Sequence, residues 1–285
     1  MRTPIHADEI SSGERFEFGK NWANFLNTLD DERISNAEKT LTTWTNLVDF
    51  SGKTFLDIGS GSGLFSLCAR RLGAKVHSFD YDPDSVACTA ELRRRYFPDD
   101  PDWTVESGSA LDEEYVSSLG VHDIVYSWGV LHHTGDMWTG LRNADLCVKD
   151  KGMLFVAIYN DQGGPSRYWT WVKRTYNRLP RGLRGPFTAL TMGPREIRMF
   201  CRMLVVGRPD IYLRTITQYK SSRGMSYWHD LVDWVGGYPF EVAEPEAIFD
   251  FYHSRGYQLT KLETMGGGLG CNQFVFQKSA TAKLA

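Results

Sequence analysis

The sequence predicts an α/β fold: a doubly wound, mostly parallel seven-stranded sheet with helices on both faces and a helical insertion after the fifth strand. Three observations carry this expectation. Short apolar runs alternate with segments of helical period from Thr54 to Tyr159. A glycine-rich turn joins the first run to the helix that follows it, as in a β-loop-α unit. The alternation breaks off at Asn160 and resumes only near Pro245, so the stretch between them lies outside the sheet's repeat.

Each element has its own signal. From Asp31 to Val48, the residues Ile34, Ala37, Leu41, Trp44 and Val48 recur at intervals of three and four, which marks an amphipathic helix that Gly52 ends. Thr54–Ile58 is the first buried strand, and Leu64–Leu72 is a helix stopped by Gly73. Lys75–Phe79 is the second strand, closing on Asp80. Pro83 then stands at a helix start where proline is tolerated, and that helix runs towards Tyr96. Trp103–Glu106 and His122–Ser127 are the third and fourth strands, Trp138–Val148 a helix, and Gly152–Tyr159 a continuously apolar fifth strand. After the insertion, Glu246–Ser254 reads as a helix, and Tyr257–Leu262 and Asn272–Gln277 read as two last strands.

The boundaries follow: an N-terminal helical segment over 1–50 that packs on the ligand site, a sheet domain over 51–160 and 242–285, and an inserted lid over 161–241. With 285 residues, 42% apolar and 24% charged, the chain is an ordinary globular one that can bury a full core. Met1–Lys20 carries charges throughout and no apolar run, which points to a cytoplasmic protein. Five scattered cysteines without a C-x-x-C pair suggest reduced thiols, and no metal site is expected. The net charge of −3 hides an asymmetry. Residues 161–223 hold 13 Lys and Arg against three acids, so the insertion is basic and the rest is acidic.

Candidate binding residues begin at the glycine turn. Gly59, Gly61 and Gly63 allow a tight turn and a close backbone approach to a ligand, and Ser60 lies between them. On its own this spacing suits several nucleotides, or an ordinary turn. Asp57, at the end of the strand, narrows it, because a carboxylate there repels a pyrophosphate and attracts a cation. Position 64 is Leu, so the dinucleotide spacing G-x-G-x-x-G is not met. Asp80, at the end of the second strand, is placed to accept hydrogen bonds from ribose hydroxyls.

On these residues the segment Leu56-Asp57-Ile58-Gly59-Ser60-Gly61-Ser62-Gly63 resembles the first motif of class I, Rossmann-like methyltransferases, and Asp80 resembles their ribose acid. The stretch Val130-Leu131-His132-His133-Thr134 is similar to one in the quinone-biosynthesis type of small-molecule methyltransferase. The resemblance covers residues 45–160 well and 245–278 more loosely. It implies S-adenosylmethionine as cofactor, with Tyr81 beside the ribose acid, Ser109 and Ala110 near the adenine, and Ser127 and Trp128 as further cofactor neighbours. It implies methyl transfer to O, N or S of a small-molecule or lipid-like acceptor. The family's aspartate in the turn after the third strand is missing unless Asp112 fills it.

On the acceptor side, His132 lies where a doubly wound fold keeps its crevice and is the candidate base, against a bland role in capping or packing. The segment Met225–Glu241 concentrates aromatics and acids. Within it, Asp230 and Asp233 are further candidates for catalysis, and Tyr227, His229, Trp234, Tyr238 and Glu241 for substrate contact, against a hydrophobic plug that anchors the lid. The basic insertion suits an anionic acceptor or an anionic membrane surface, touched through Met192–Val206, against a solvated face paired with the acidic core. A sequence pI near 6.2 and the lack of a recognised RNA-binding module argue against nucleic acid. Two other functions stay open: a non-catalytic S-adenosylmethionine-binding regulator or scaffold, and an NAD-dependent oxidoreductase, which Asp57 and Leu64 disfavour.

Overall fold

Strand residues that alternate between two apolar faces produce a sheet buried on both sides, and that pattern organises this chain. In the computed structural model, which describes residues 6–19, 22, 26, 29–217 and 227–280, seven strands form one sheet. They are β1 (Thr54–Ile58), β2 (Lys75–Asp80), β3 (Trp103–Ser107), β4 (His122–Trp128), β5 (Val148–Tyr159), β6 (Tyr257–Glu263) and β7 (Cys271–Lys278). Their order is β3-β2-β1-β4-β5-β7-β6. The first five run parallel, and β7 lies antiparallel between β5 and β6. The order reverses between β1 and β4, and a ligand crevice opens at the carboxyl ends of strands at such a point.

Phe55, Ile124, Tyr126, Phe155 and Val275 face one layer of helices, and Leu56, Val125, Leu154, Val156, Phe274 and Phe276 face the other. The first layer holds α2 (Asp31–Thr45), α3 (Leu64–Arg71) and α4 (Pro83–Tyr96). The second holds α5 (Glu113–Ser118), α6 (Met137–Leu146) and α11 (Pro245–His253). Asp30, Asp82, Asp112 and Asp136 cap the starts of α2, α4, α5 and α6 by accepting backbone N–H groups of the first turn. Asp112 is thereby committed to a helix end.

Ahead of the sheet stands the short α1 (His6–Ser11). After β5 come α7 (Gly164–Arg178), α8 (Arg181–Val205), α9 (Pro209–Thr217) and α10 (Tyr227–Gly236). These helices have their own small core of Val172, Tyr176, Met192, Leu231 and Val235, to which the N-terminal segment adds Phe16. Two Gly-Pro pairs, Gly185-Pro186 and Gly193-Pro194, lie inside α8, which runs through them. Among the described residues no helix is long and apolar enough to cross a membrane.

The sequence reading misses two details. The helix α5 spans six residues and buries only Val116, too little for a periodic signal. Strand β5 starts at Val148, ahead of the expected Gly152, because the chain passes through a left-handed Lys151 and rejoins β4 after a bulge between His122 and Ile124.

Phe155 is 1% exposed and stacks on Trp44 with ring centroids 5.1 Å apart. Phe155→Ala is expected to cost about 3–5 kcal/mol in urea unfolding, whereas Leu190→Ala on the exposed side of α8 stays within about 0.5 kcal/mol.

Candidate functional site

The turn after β1 is tied down from beneath. The amides of Gly59 and Ser60 both donate to the carbonyl of Phe79, at 2.9 and 3.1 Å, so the loop rests on the end of β2. Gly59 has φ +78°, and a Cβ there would lie 2.2 Å from Val130, so only glycine fits. Ser60 bonds Thr89 through its hydroxyl at 2.8 Å, and Gly63 opens α3.

Two carboxylates border this loop. Asp57 is 2% exposed and accepts from the Ser66 hydroxyl. Ser66 in turn accepts from Ser78 at 2.8 Å, and Ser78 accepts from the indole N–H of Trp103 at 2.9 Å. An indole N–H can only donate, so every hydroxyl hydrogen in the chain points towards Asp57. Burial pushes the Asp57 carboxyl up to about 7, against the Ser66 hydrogen bond, which lowers it; the neighbouring Asp80 raises it further. Asp80 accepts from the amides of Gly61 and Asp82, each at 2.9 Å, and burial pushes it up to about 6. No basic side chain figures among the causes of either shift. The loop therefore presents a buried and a partly buried carboxylate with no ion pair to either among the described residues, a setting that suits a positively charged ligand.

The N-terminal segment lies across this rim. Gly19 donates its amide to Asp82 at 2.8 Å, and the Trp22 indole stands 3.2 Å from where a Cβ on Gly61 would be. Tyr81 packs against the edge of His6 and lies under the Arg15 guanidinium, 4.9 Å from the ring centre. The turn after β3 carries Ser109, whose hydroxyl accepts from Leu111, and the buried Ala110, whose carbonyl accepts from Asn143. Near the end of β4, Ser127 turns its hydroxyl inward to the Ile58 carbonyl at 3.0 Å. Trp128 is 45% exposed and reaches sideways to Gln273 on β7.

At the carboxyl ends of β4 and β5 the groups differ in kind. His132 is fully buried; its Nδ1 accepts from the Tyr159 amide at 3.3 Å, and its ring lies 4.0 Å from that of Tyr159. Burial holds His132 well below the usual imidazole range and brings His133 down to about 3, so both rings are neutral. Beside them stands a group that the sequence reading passes over. Lys173, on α7, is 1% exposed and donates to the Trp234 carbonyl. Its ammonium lies 4.5 Å from the Trp234 ring centre and 4.8 Å from that of Phe240. Burial brings it down to about 7, and Asp233 partly offsets the shift. A lysine within a basic helical run gives no pattern that separates it from its exposed neighbours.

The expected acceptor residues divide. Trp234 packs edge-on to Tyr159 and Trp169 beside Lys173. Asp233 lines a cavity of about 190 Å³ together with Arg15, Phe16, Tyr176 and Arg184. Asp230 lies on the same helix, partly buried. The carbonyl of Tyr238 accepts from the Phe16 amide. Tyr227 packs on the small core of the insertion and donates its hydroxyl to Glu196 on α8. Glu241 caps α6 by accepting from the amides of Gly135 and Met137. The side chain of His229 lies outside the described residues.

Residues 56–154 match the family model described as "Methyltransferase domain". The chain is 32% identical over 112 residues to the ubiquinone biosynthesis O-methyltransferase of Methylobacterium sp. (strain 4-46), covering 39% of this chain and 42% of that protein. Over 53 residues, 18% of each chain, it is 43% identical to the ribosomal protein L11 methyltransferase of Alteromonas mediterranea. The chain thus spans less than half the length of these curated relatives. In fold it is similar to a SAM-dependent methyltransferase of Anabaena variabilis, with a TM-score of 0.53, 9% identity, and coverage of 98% of this chain and 97% of that one.

The state of Lys173 has a measurable consequence. Unfolded lysine titrates near 10.5 and folded Lys173 near 7, so between those values the unfolded chain holds the extra proton. Stability contributed by this group therefore rises with pH across that window. Urea unfolding at pH 7 and 9.5 is expected to show the wild type gaining on Lys173→Met at the higher pH. An unchanged difference would place the folded lysine at its ordinary value.

Proposed function

We propose that the chain transfers a methyl group from S-adenosylmethionine to O, N or S of a small-molecule or lipid-like acceptor. The observation that carries this reading is the pair of carboxylates beside the glycine loop, the buried Asp57 and the partly buried Asp80, both raised by burial and neither in an ion pair among the described residues. S-adenosylmethionine is cationic at its amino group and sulfonium, so it supplies the missing charge, whereas the pyrophosphate of NAD would add to the repulsion. Asp57 would face the amino group and Asp80 the ribose, the loop of Gly59, Ser60, Gly61 and Gly63 would lie along the ligand, and Tyr81, Ser109 and Ala110 would border its adenosine half. The cofactor, when bound, provides an activated methyl on a positively charged sulfur.

What remains for the protein is alignment, exclusion of water and, for a protonated acceptor, a place for the proton. Lys173 and Asp233 meet the last requirement better than His132 does. The Nδ1 lone pair of His132 is engaged by the Tyr159 amide, while Lys173 titrates near neutrality and Asp233 borders a cavity. The ring of Trp234 and the rest of α7–α10 form the lid that selects the acceptor. Methyl label supplied as S-adenosylmethionine to the pure protein with cell extract is expected in the small-molecule or lipid fraction. Cofactor binding without label in any fraction would leave a non-catalytic binder.

The carboxylates also set a pH dependence. Both must be ionised to hold a cation, and in the free protein they titrate at about 7 and about 6. Affinity for S-adenosylmethionine by titration calorimetry is expected to rise about tenfold or more between pH 5.5 and 7.5. Asp57→Asn should weaken binding and flatten most of that rise. Equal affinity of the wild type at both pH values would remove Asp57 from the site.

A further inference from the structure

The helix α8 buries Thr188 and Met192 on one side and leaves a long apolar stripe on the other. Leu183, Leu190, Ile197 and Leu204 recur every seven residues, which brings them to nearly the same side of an α-helix. All four are exposed, Leu190 at 76% and Ile197 at 65%, and Val205 continues the stripe at 89%. Globular surfaces rarely leave so long a row of aliphatic side chains in water.

Charge decides what covers it. Arg195, Arg198 and Arg202, all exposed, fall along one flank of the stripe at helical spacing. Arg195, Arg198 and Arg202 make no ion pair among the described residues. The only acid on the helix, Glu196, points elsewhere and accepts the hydroxyls of Tyr212 and Tyr227. A second copy of the chain would bring like-charged flanks together in a two-fold pairing, and the glycines and prolines at 182, 185, 186, 193 and 194 do not suit a coiled coil. An apolar stripe edged by unpaired guanidinium groups matches the boundary between acyl chains and anionic headgroups.

We infer that the exposed face of α8 docks in the plane of an anionic lipid bilayer, with Leu183, Leu190, Ile197 and Leu204 in the acyl boundary and the arginines at the headgroups. The contact is peripheral and needs no cofactor, so it stands or falls apart from the methyl-transfer reading.

The test is co-sedimentation of the full chain with vesicles of phosphatidylcholine alone and of phosphatidylcholine with phosphatidylglycerol, joined to light scattering of the protein without lipid. The protein is expected to sediment with the anionic vesicles and not with the neutral ones. Ile197→Glu and the triple change Arg195→Gln, Arg198→Gln, Arg202→Gln are each expected to lower partitioning about tenfold or more. Both leave the Asp57-dependent affinity for S-adenosylmethionine unchanged, which shows that the variants are folded. Absence of sedimentation with anionic vesicles would overturn the inference. So would a dimer that Ile197→Glu dissociates, since the stripe would then be covered by a second copy.

Discussion

The site depends on the cost of keeping a carboxylate dry. Asp57 sits near the end of a central strand at 2% exposure, and burial, with a further contribution from Asp80, lifts its titration into the neutral range. Trp103, Ser78 and Ser66 form a one-way donor chain that ends on that carboxylate. Each of these side chains is itself buried, so the sheet interior from β3 to α3 is arranged to present hydrogens to one anion. Asp80 receives the glycine loop's own amide from Gly61, which couples the shape of the loop to the second carboxylate. The hydrogen bonds only partly offset desolvation, and the remainder is what a cationic ligand can relieve.

The rest of the molecule follows from where this pair lies. The reversal of strand order between β1 and β4 leaves the crevice open at their carboxyl ends, and two elements from outside the sheet lie beside it. One is the N-terminal segment, anchored through Gly19 on Asp82 and through Phe16 on the Tyr238 carbonyl. The other is the helical insertion, whose separate core is joined to the same segment by Phe16.

Much of this was legible in the sequence, for physical reasons that differ by region. Strands buried on both faces read as apolar runs, and Thr54–Ile58 and Lys75–Asp80 were recognisable because their glycine and proline stops are local. The candidate cofactor residues could be named together because Asp57, the glycines and Asp80 follow one another along one β-loop-α-β unit. The acceptor side was not, since its groups come from distant segments and meet only through packing. Lys173 looks like any lysine of a basic helix until Trp234 and Phe240 close over it. Glu241 looks like a pocket acid until its carboxylate is found capping α6 from about a hundred residues away. Trp128 closes the fourth strand, one residue beyond the expected end, and its indole bonds Gln273 on β7, a partner that the local sequence does not reveal.

The charge asymmetry between the two halves now has a structural reason. If the insertion's arginines served chiefly to neutralise an acidic sheet domain, they would be found in ion pairs across the junction. Arg15, Arg70, Arg94 and Arg95 pair within the N-terminal half, and Arg255 and Lys278 share Asp145. Within the insertion, Arg208 pairs with Asp210 two residues away, and Arg184 binds backbone carbonyls. The positive charge on α8 is thus left facing outward, on the same helix that exposes its aliphatic side chains. Guanidinium and aliphatic groups displayed together are poorly solvated by water alone, and both are satisfied at an anionic interface. Such an interface is also where a lipid-like acceptor, if that is the substrate of the proposed reaction, would be met.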